Sequence, residues 1–361
     1  MSASQPSFYS PRLAALEPYV PGEQPRIASL VKLNTNENPY PPSPLAVDAV
    51  QRAAAAGLER YPDPESLELR EAVARRHGLH ADQVFAGNGS DEVLAHAFFA
   101  FFRQAEPLLF PDVTYSFYRV YAQRYDIPCE LLPVDDGMRI DVDALAARAA
   151  RGCGGIVLAN PNAPTGIGLP LTQIERLLQA CPGRVVLVDE AYVDFGGESA
   201  LPLVARYPNL LVVQTLSKSR ALAGLRVGFA CGQVHLIEAM TRGKNTFNSY
   251  PLGRPALAGA VAALQDETWF DRTCKAVMDT REGLSLQLED LGFEVLPSQA
   301  NFVFVRHPQH DAGEMAAALR ERAVLVRHFG APRIAQYLRI SIGTRDQCGA
   351  LINALNGILA P

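Results

Sequence analysis

Lysine is scarce in this chain: of its 33 Lys plus Arg residues only four are lysine, at Lys32, Lys218, Lys244 and Lys275. Positive charge therefore rests almost wholly on arginine, which stays protonated and forms no imine under physiological conditions, so any amine chemistry falls on very few residues. Charge of one sign is also lacking. A net charge of −5 leaves no basic footprint for nucleic acid. The six cysteines, Cys129, Cys153, Cys181, Cys231, Cys274 and Cys348, contain no C-x-x-C pair; this argues against a disulfide framework or a zinc site and suits a reducing cytosol. No apolar run of about 18 residues would span a bilayer, and the polar stretch Met1 to Pro11 lacks the apolar segment of a secretion signal. A cytoplasmic protein without a membrane partner is expected. The single tryptophan, Trp269, is expected in a domain-joining helix.

What is present is ordinary globular material: 361 residues, 48% hydrophobic and 20% charged, long enough for two domains and suited to a small-molecule partner. Pro6, Pro11, Pro18, Pro21, Pro25 and Pro39 favour an extended arm over residues 1–43, of the kind that wraps a partner subunit. Helices are expected from Pro44 to Ala56, from Leu67 to His77, and from Asp91 to Phe102, where Val93, Leu94, Ala97, Phe98 and Phe101 share a face. Apolar runs at Gly155 to Ala159, Val185 to Val188, Leu210 to Val213 and Val227 to Ala230, mostly separated by helical segments such as Thr172 to Ala180, predict a mostly parallel sheet covered by helices. This gives a large α/β domain over 44–255. After Pro255 a long helical stretch through about Glu289 and strands at Phe293 to Leu296, Asn301 to Arg306, Val324 to Val326 and Tyr337 to Ile342 predict a smaller α+β domain over 256–361.

Lys218 follows the apolar strand and Thr215-Leu216-Ser217, a placement poorly explained by folding alone, and reads as a Schiff-base lysine. Asp189 ends another buried strand, at the sheet edge where open α/β folds bind ligands. It caps a helix, or it sits against the nitrogen of a pyridine ring and keeps that nitrogen protonated, the arrangement that pyridoxal phosphate requires. The loop Asn160-Pro161-Asn162-Ala163-Pro164-Thr165-Gly166 leaves the same edge; Asn162 and Tyr192 are positioned to donate to a phenolate oxygen, though the run is also plain turn chemistry. Gly87-Asn88-Gly89-Ser90-Asp91-Glu92 opens a helix whose N–H groups suit a phosphate, and Ser217 and Arg226 flank the lysine with a hydroxyl and a guanidinium. His77 and His80 read as solvated histidines, and no metal is expected.

Together, Asn162, Asp189, Tyr192, Ser217, Lys218 and Arg226, in this order and approximate spacing, resemble the fold-type I pyridoxal-phosphate-dependent aminotransferases over nearly the whole chain. The resemblance implies pyridoxal 5'-phosphate as cofactor, Lys218, Asp189 and Tyr192 as catalytic residues, and a phosphate cradle of Gly89, Ser90, Asp91, Ser217 and Arg226. It also implies Tyr115 as the aromatic over the ring, a homodimer, and Tyr61 reaching the neighbouring subunit's phosphate. The runs Leu33 to Tyr40, Arg60-Tyr61-Pro62-Asp63 and Leu222 to Arg226 are similar to the histidinol-phosphate branch of that family. That likeness implies transfer of nitrogen between L-histidinol phosphate and 2-oxoglutarate, with Arg339, Arg327, Tyr19 and Asn36 at the substrate. Aromatic-amino-acid transamination and threonine-phosphate decarboxylation are the rival chemistries. A non-catalytic cofactor-binding regulator has no need for both Asp189 and Lys218.

Overall fold

The computed structural model describes residues 8–14, 16–20 and 22–360. Pro6, Pro21 and most of the polar N-terminal stretch lie outside the described residues. Among the described residues twelve strands run in order as β1 (Val31–Leu33), β2 (Val84–Asn88), β3 (Leu108–Pro111), β4 (Cys129–Leu132), β5 (Gly155–Ala159), β6 (Val186–Asp189), β7 (Leu210–Thr215), β8 (Val227–Gly232), β9 (Glu294–Val295), β10 (Phe302–Arg306), β11 (Val324–His328) and β12 (Leu338–Ser341).

Seven of them form one sheet in the order β2-β8-β7-β6-β5-β3-β4, with β3 to β7 parallel and β8 antiparallel to both of its neighbours. Both faces are covered, as continuous apolar strands require. Ile156, Leu158, Val186, Val188, Leu210 and Val212 pack into a core with helices Leu67–His77, Val142–Ala149, Leu171–Ala180 and Arg254–Gln265. The alternate residues Val157, Leu187, Leu211 and Val213 face a second core with Gly89–Ala97, Phe117–Arg124 and Val234–Asn245. The two-residue period of a strand thus assigns each side chain to one layer or the other.

The second sheet runs β1-β11-β12-β10-β9, with only β1 and β11 parallel. Its core joins Leu33 from the arm to Val303, Val305, Ile340 and helices Glu267–Asp290 and Arg345–Leu359.

Local chemistry sets the boundaries. Ser43 accepts from the Leu45 amide and Pro44 occupies the first turn of helix Pro44–Ala55; Gly78, at φ 66°, closes Leu67–His77 in the left-handed conformation that glycine tolerates. The helical stretch after Pro255 is made of two helices, because the Asp266 carboxylate caps Trp269 and starts a new helix at Glu267. The structure corrects several expectations. The helix expected from Asp91 begins at Gly89 and widens into a π-helical turn over Phe98–Phe102. β8 is antiparallel, and β2, β3 and β4 were not anticipated: they are only four or five residues long, and Gly87 and Pro111 interrupt the apolar signal. The arm is mostly extended but carries a helical turn at Pro11–Ala14, and its last part enters the smaller sheet as β1. His77 is half-buried beside Phe229, and burial lowers its pKa to about 4, so it is not a solvated histidine.

Candidate active site

Three parallel strands end side by side: the register aligns Ala159 of β5 with Asp189 of β6, and Asp189 with Val213 of β7. Their carboxyl ends border a cavity of about 180 Å³ whose wall includes Ala159, Asp189, Thr215, Ser217 and Lys218. The arm and the smaller sheet close the other side with Tyr19, Asn34, Asn36, Arg327 and Arg339. Tyr19, Tyr115, Ala163, Arg327 and Arg339 also border an adjoining cavity of about 470 Å³.

Asp189 is buried, and desolvation raises its pKa to about 6. The Tyr118 hydroxyl donates to its Oδ2 at 2.9 Å and the Ala191 amide to its Oδ1 at 3.2 Å, which hold the carboxylate in one orientation. Lys218 is half-buried; among the described residues its Nζ donates only to the Thr35 carbonyl, at 3.4 Å, and it lies 5.7 Å from the centre of the Tyr192 ring. Tyr192 accepts at its hydroxyl from Asn36 Nδ2 at 3.0 Å. Asn36, in the left-handed region at φ 55°, is fixed in turn by Ser341 and Asn301.

At the start of helix Gly89–Ala97, Ser90 and Asp91 reach the cavity wall. Arg226 holds a left-handed backbone at φ 55°, a strained state for a non-glycine residue. Its guanidinium pairs with Asp91 Oδ2 at 2.7 Å and lies 3.5 Å from Ser217 Oγ. Tyr115 donates to Asp91 Oδ1 at 3.2 Å. Two glycines permit this packing. A β-carbon on Gly89 would lie 2.5 Å from the Arg226 guanidinium, and one on Gly228 would lie 2.4 Å from the Ser90 amide nitrogen.

Arg339 has no carboxylate partner among the described residues. Its Nη2 donates to the Asn34 carbonyl at 3.0 Å, its Nε is buried without a partner, and burial lowers its pKa. Arg327 makes one long bond, 3.4 Å, to the Val20 carbonyl. Asn34 Oδ1 is a second orphan on the same wall. The Arg339 and Arg327 guanidiniums on this wall are the donors that an anionic ligand satisfies, and the Asn34 Oδ1 orphan can only accept. A pyridine ring with a phosphate tail fits this arrangement: the helix start, Ser217 and Arg226 lie on one side of Lys218, and Asp189 lies deep in the strand edge.

Of the expected residues, Lys218, Asp189, Tyr192, Ser90, Asp91, Tyr115, Ser217, Arg226, Arg339, Arg327, Tyr19 and Asn36 border one cavity. Gly89, Asn162 and Tyr61 do not. Gly89 is a spacer under Arg226. The amide hydrogens of Asn162 are engaged by the Val113 carbonyl at 2.9 Å and Thr165 Oγ1 at 3.2 Å, and its Oδ1 accepts from Thr114. It ties the β5 loop to the loop after β3. Tyr61 is exposed and stacks on Tyr250 with ring centres 4.7 Å apart. Sequence reasoning missed Tyr118, Asn34 and Thr35. Tyr118 stands at the start of helix Phe117–Arg124, three residues after Tyr115; the others act through a backbone carbonyl or an orphan amide and had no local signal. Among the described residues no group of three His, Cys, Asp or Glu side chains is arranged to hold a metal ion, and no helix is long and apolar enough to cross a membrane.

Residues 28–355 match the family described as aminotransferase class I and II. The chain is 59% identical over 352 residues to histidinol-phosphate aminotransferase 2 of Rhizobium meliloti, covering 98% of this chain and 99% of that one. It is 60% identical over 349 residues to histidinol-phosphate aminotransferase 1 of Pseudomonas aeruginosa, covering 97% and 98%. Among solved structures, histidinol-phosphate aminotransferase from Sinorhizobium meliloti in complex with pyridoxal-5'-phosphate superimposes with a TM-score of 0.88 at 25% identity, covering 99% of this chain and 98% of that one.

Proposed function

The chain belongs to the class I and II aminotransferases, and we propose that it transfers the amino group of L-histidinol phosphate to 2-oxoglutarate, giving imidazole acetol phosphate and L-glutamate. It is a pyridoxal-phosphate enzyme of histidine biosynthesis, as relatives of about 60% identity over nearly full length indicate. The observation that carries the substrate choice is the pair Arg339 and Arg327, two guanidiniums without carboxylate partners bordering one cavity. A phosphate monoester and a dicarboxylate must be received in turn, and planar cationic forks bind both.

Bound pyridoxal phosphate supplies an aldehyde that condenses with amines and a ring that withdraws electrons from the adjacent carbon. Lys218 is the amine that would hold it and, once free, the base that would take the proton from the substrate's Cα. A scarce lysine with one long hydrogen bond suits that work. Asp189, kept in place by Tyr118, holds a proton on the ring nitrogen. Ser90, Ser217, Arg226 and the amides at the start of the Gly89–Ala97 helix bind the phosphate, while Asp91 positions Arg226 and Tyr115. Tyr115 covers the ring, and Tyr192 and Asn162 serve its phenolate oxygen, the latter after releasing one of its present partners. Tyr19 and Asn36 close the arm over the substrate.

The same reading makes the enzyme a cytoplasmic homodimer in which Tyr61 reaches the partner's phosphate. Its support is the exposed aromatic surface of Tyr61, Phe99, Phe247 and Tyr250, larger than isolated surface residues account for. The test is a steady-state comparison of histidinol phosphate, phenylalanine and tyrosine as amino donors to 2-oxoglutarate. Histidinol phosphate is expected to have the highest kcat/KM, and a higher value for phenylalanine overturns the assignment. Lys218→Ala is expected to abolish turnover while leaving a folded protein.

A further inference from the structure

Five strand residues from the catalytic edge, at the amino end of β5, two thiols meet away from the chemistry described above. Cys153 Sγ lies 3.2 Å from Cys181 Sγ. One precedes β5 in Gly152-Cys153-Gly154-Gly155, and the other follows helix Leu171–Ala180 and leads into Pro182-Gly183. Both line a surface cavity of about 250 Å³ together with Glu106, Gly152 and Arg184, room well beyond the roughly 30 Å³ share of a single water. Cys153 and Cys181 are themselves buried, as are Cys231, Cys274 and Cys348, while Cys129 is exposed; among the described residues only Cys153 and Cys181 bring two sulfurs within hydrogen-bond distance.

We propose that Cys153 and Cys181 form an oxidisable dithiol, closed to an intramolecular disulfide by a small peroxide and reopened by thiols. The chemistry favours Cys153 as the attacking sulfur. Arg148 Nη1 donates to the Gly152 carbonyl at 2.7 Å and Arg184 Nε to the Cys153 carbonyl at 3.2 Å, so two guanidiniums flank this thiol; the Cys181 contact and these charges lower its pKa. A thiolate near arginines is the reactive form. The Cys153 thiolate attacks one peroxide oxygen, hydroxide leaves and takes up a proton, and a sulfenic acid forms. Cys181 then attacks the Cys153 sulfur, water departs, and the pair has lost two electrons and two protons to the peroxide. The sulfurs must close from 3.2 Å to roughly 2.0 Å, and both sit in connecting segments, not in the middle of an element. In a reducing compartment the pair rests as thiols.

The test exposes reduced holoenzyme to hydrogen peroxide, alkylates the remaining thiols after denaturation and maps the peptides. Expected is a Cys153–Cys181 cross-link lacking two hydrogens and reversed by dithiothreitol, with Cys231, Cys274 and Cys348 still alkylated. In Cys181→Ser the Cys153 sulfenic acid has no resolving thiol and is trapped by dimedone; in Cys153→Ser oxidation of Cys181 slows by at least about tenfold. Both variants keep transaminase activity. Equal alkylation of Cys153, Cys181 and Cys231 after peroxide overturns the proposal, as does over-oxidation of Cys153 without the cross-link. If a serine variant fails to fold, the wild-type peptide map decides alone.

Discussion

Lys218 and Lys244 both withdraw from solvent, and what their ammonium groups touch separates them. Lys244 is the more deeply buried, yet its Nζ donates to the Pro64 carbonyl at 2.9 Å and the Ser249 carbonyl at 3.4 Å and lies 3.9 Å from Glu65. It is satisfied by the fold. Among the described residues the Lys218 ammonium has only the Thr35 carbonyl, so burial by itself would have selected Lys244. The same reasoning singles out Arg339, whose Nε has no partner. Arg339→Ala is expected to lower kcat/KM by about 2–3 kcal/mol, roughly 30- to 150-fold, from the loss of charge-assisted bonds; unchanged steady-state kinetics remove it from the site. Asp189 gives a pH signature. Its pKa in the cofactor-free fold is about 6, above the usual carboxylate value, so folding takes up a proton there. That contribution is full below about pH 4, is lost as pH rises through 6, and amounts to on the order of 3 kcal/mol. Urea midpoints of cofactor-free wild type and Asp189→Asn, measured from pH 4 to 8, are expected to diverge in that window, with the wild type losing more stability. Parallel curves contradict it. Glu190, raised to about 7 by the same burial, titrates in both proteins and cancels in the comparison.

At the scale of elements, the site depends on how closely β8 approaches the Gly89–Ala97 helix. Gly228 pairs with Gly87 across the β2–β8 ladder, and any β-carbon there meets the Ser90 backbone. Gly228→Ala is expected to cost about 1–3 kcal/mol of stability by overpacking and to weaken pyridoxal-phosphate binding, because relief of the clash moves the helix start that carries Ser90 and Asp91. Denaturant melts and an absorbance titration with the cofactor measure the two effects; an alanine variant matching wild type in both refutes the close-packing argument. The strands that carry Ala159, Asp189 and Thr215 were readable from their apolar runs, since a strand buried on both faces has no polar positions. The short strands β2, β3 and β4 were not, because β2 and β3 carry a glycine or a proline and all three stand only by pairing with neighbours distant in sequence.

For the whole molecule, the arm is the element that links the two sheets. Through β1 it joins the smaller sheet, and through Thr35 and Asn38 it reaches Lys218 and its backbone. Tyr61 and the aromatic patch near it face outward from the single chain. Sedimentation is expected to give a dimer at micromolar concentration, and Tyr61→Phe is expected to weaken cofactor binding by roughly 10-fold, about 1.5 kcal/mol for one hydroxyl bond to a charged group. A monomer that is fully active sinks the shared-site reading. The sequence by itself determined the residue types and their places along the chain: a lysine, a carboxylate and a glycine-bounded helix start, each following an apolar run, because strand periodicity and turn chemistry are local. Only the tertiary structure decided which of them share a cavity, that Asn162 bonds to its own scaffold, that Tyr118 orients Asp189, and that two cysteines 28 residues apart are in contact. Those facts depend on register and packing between segments far apart in sequence, where the energy of a contact comes from neighbours that no local pattern names.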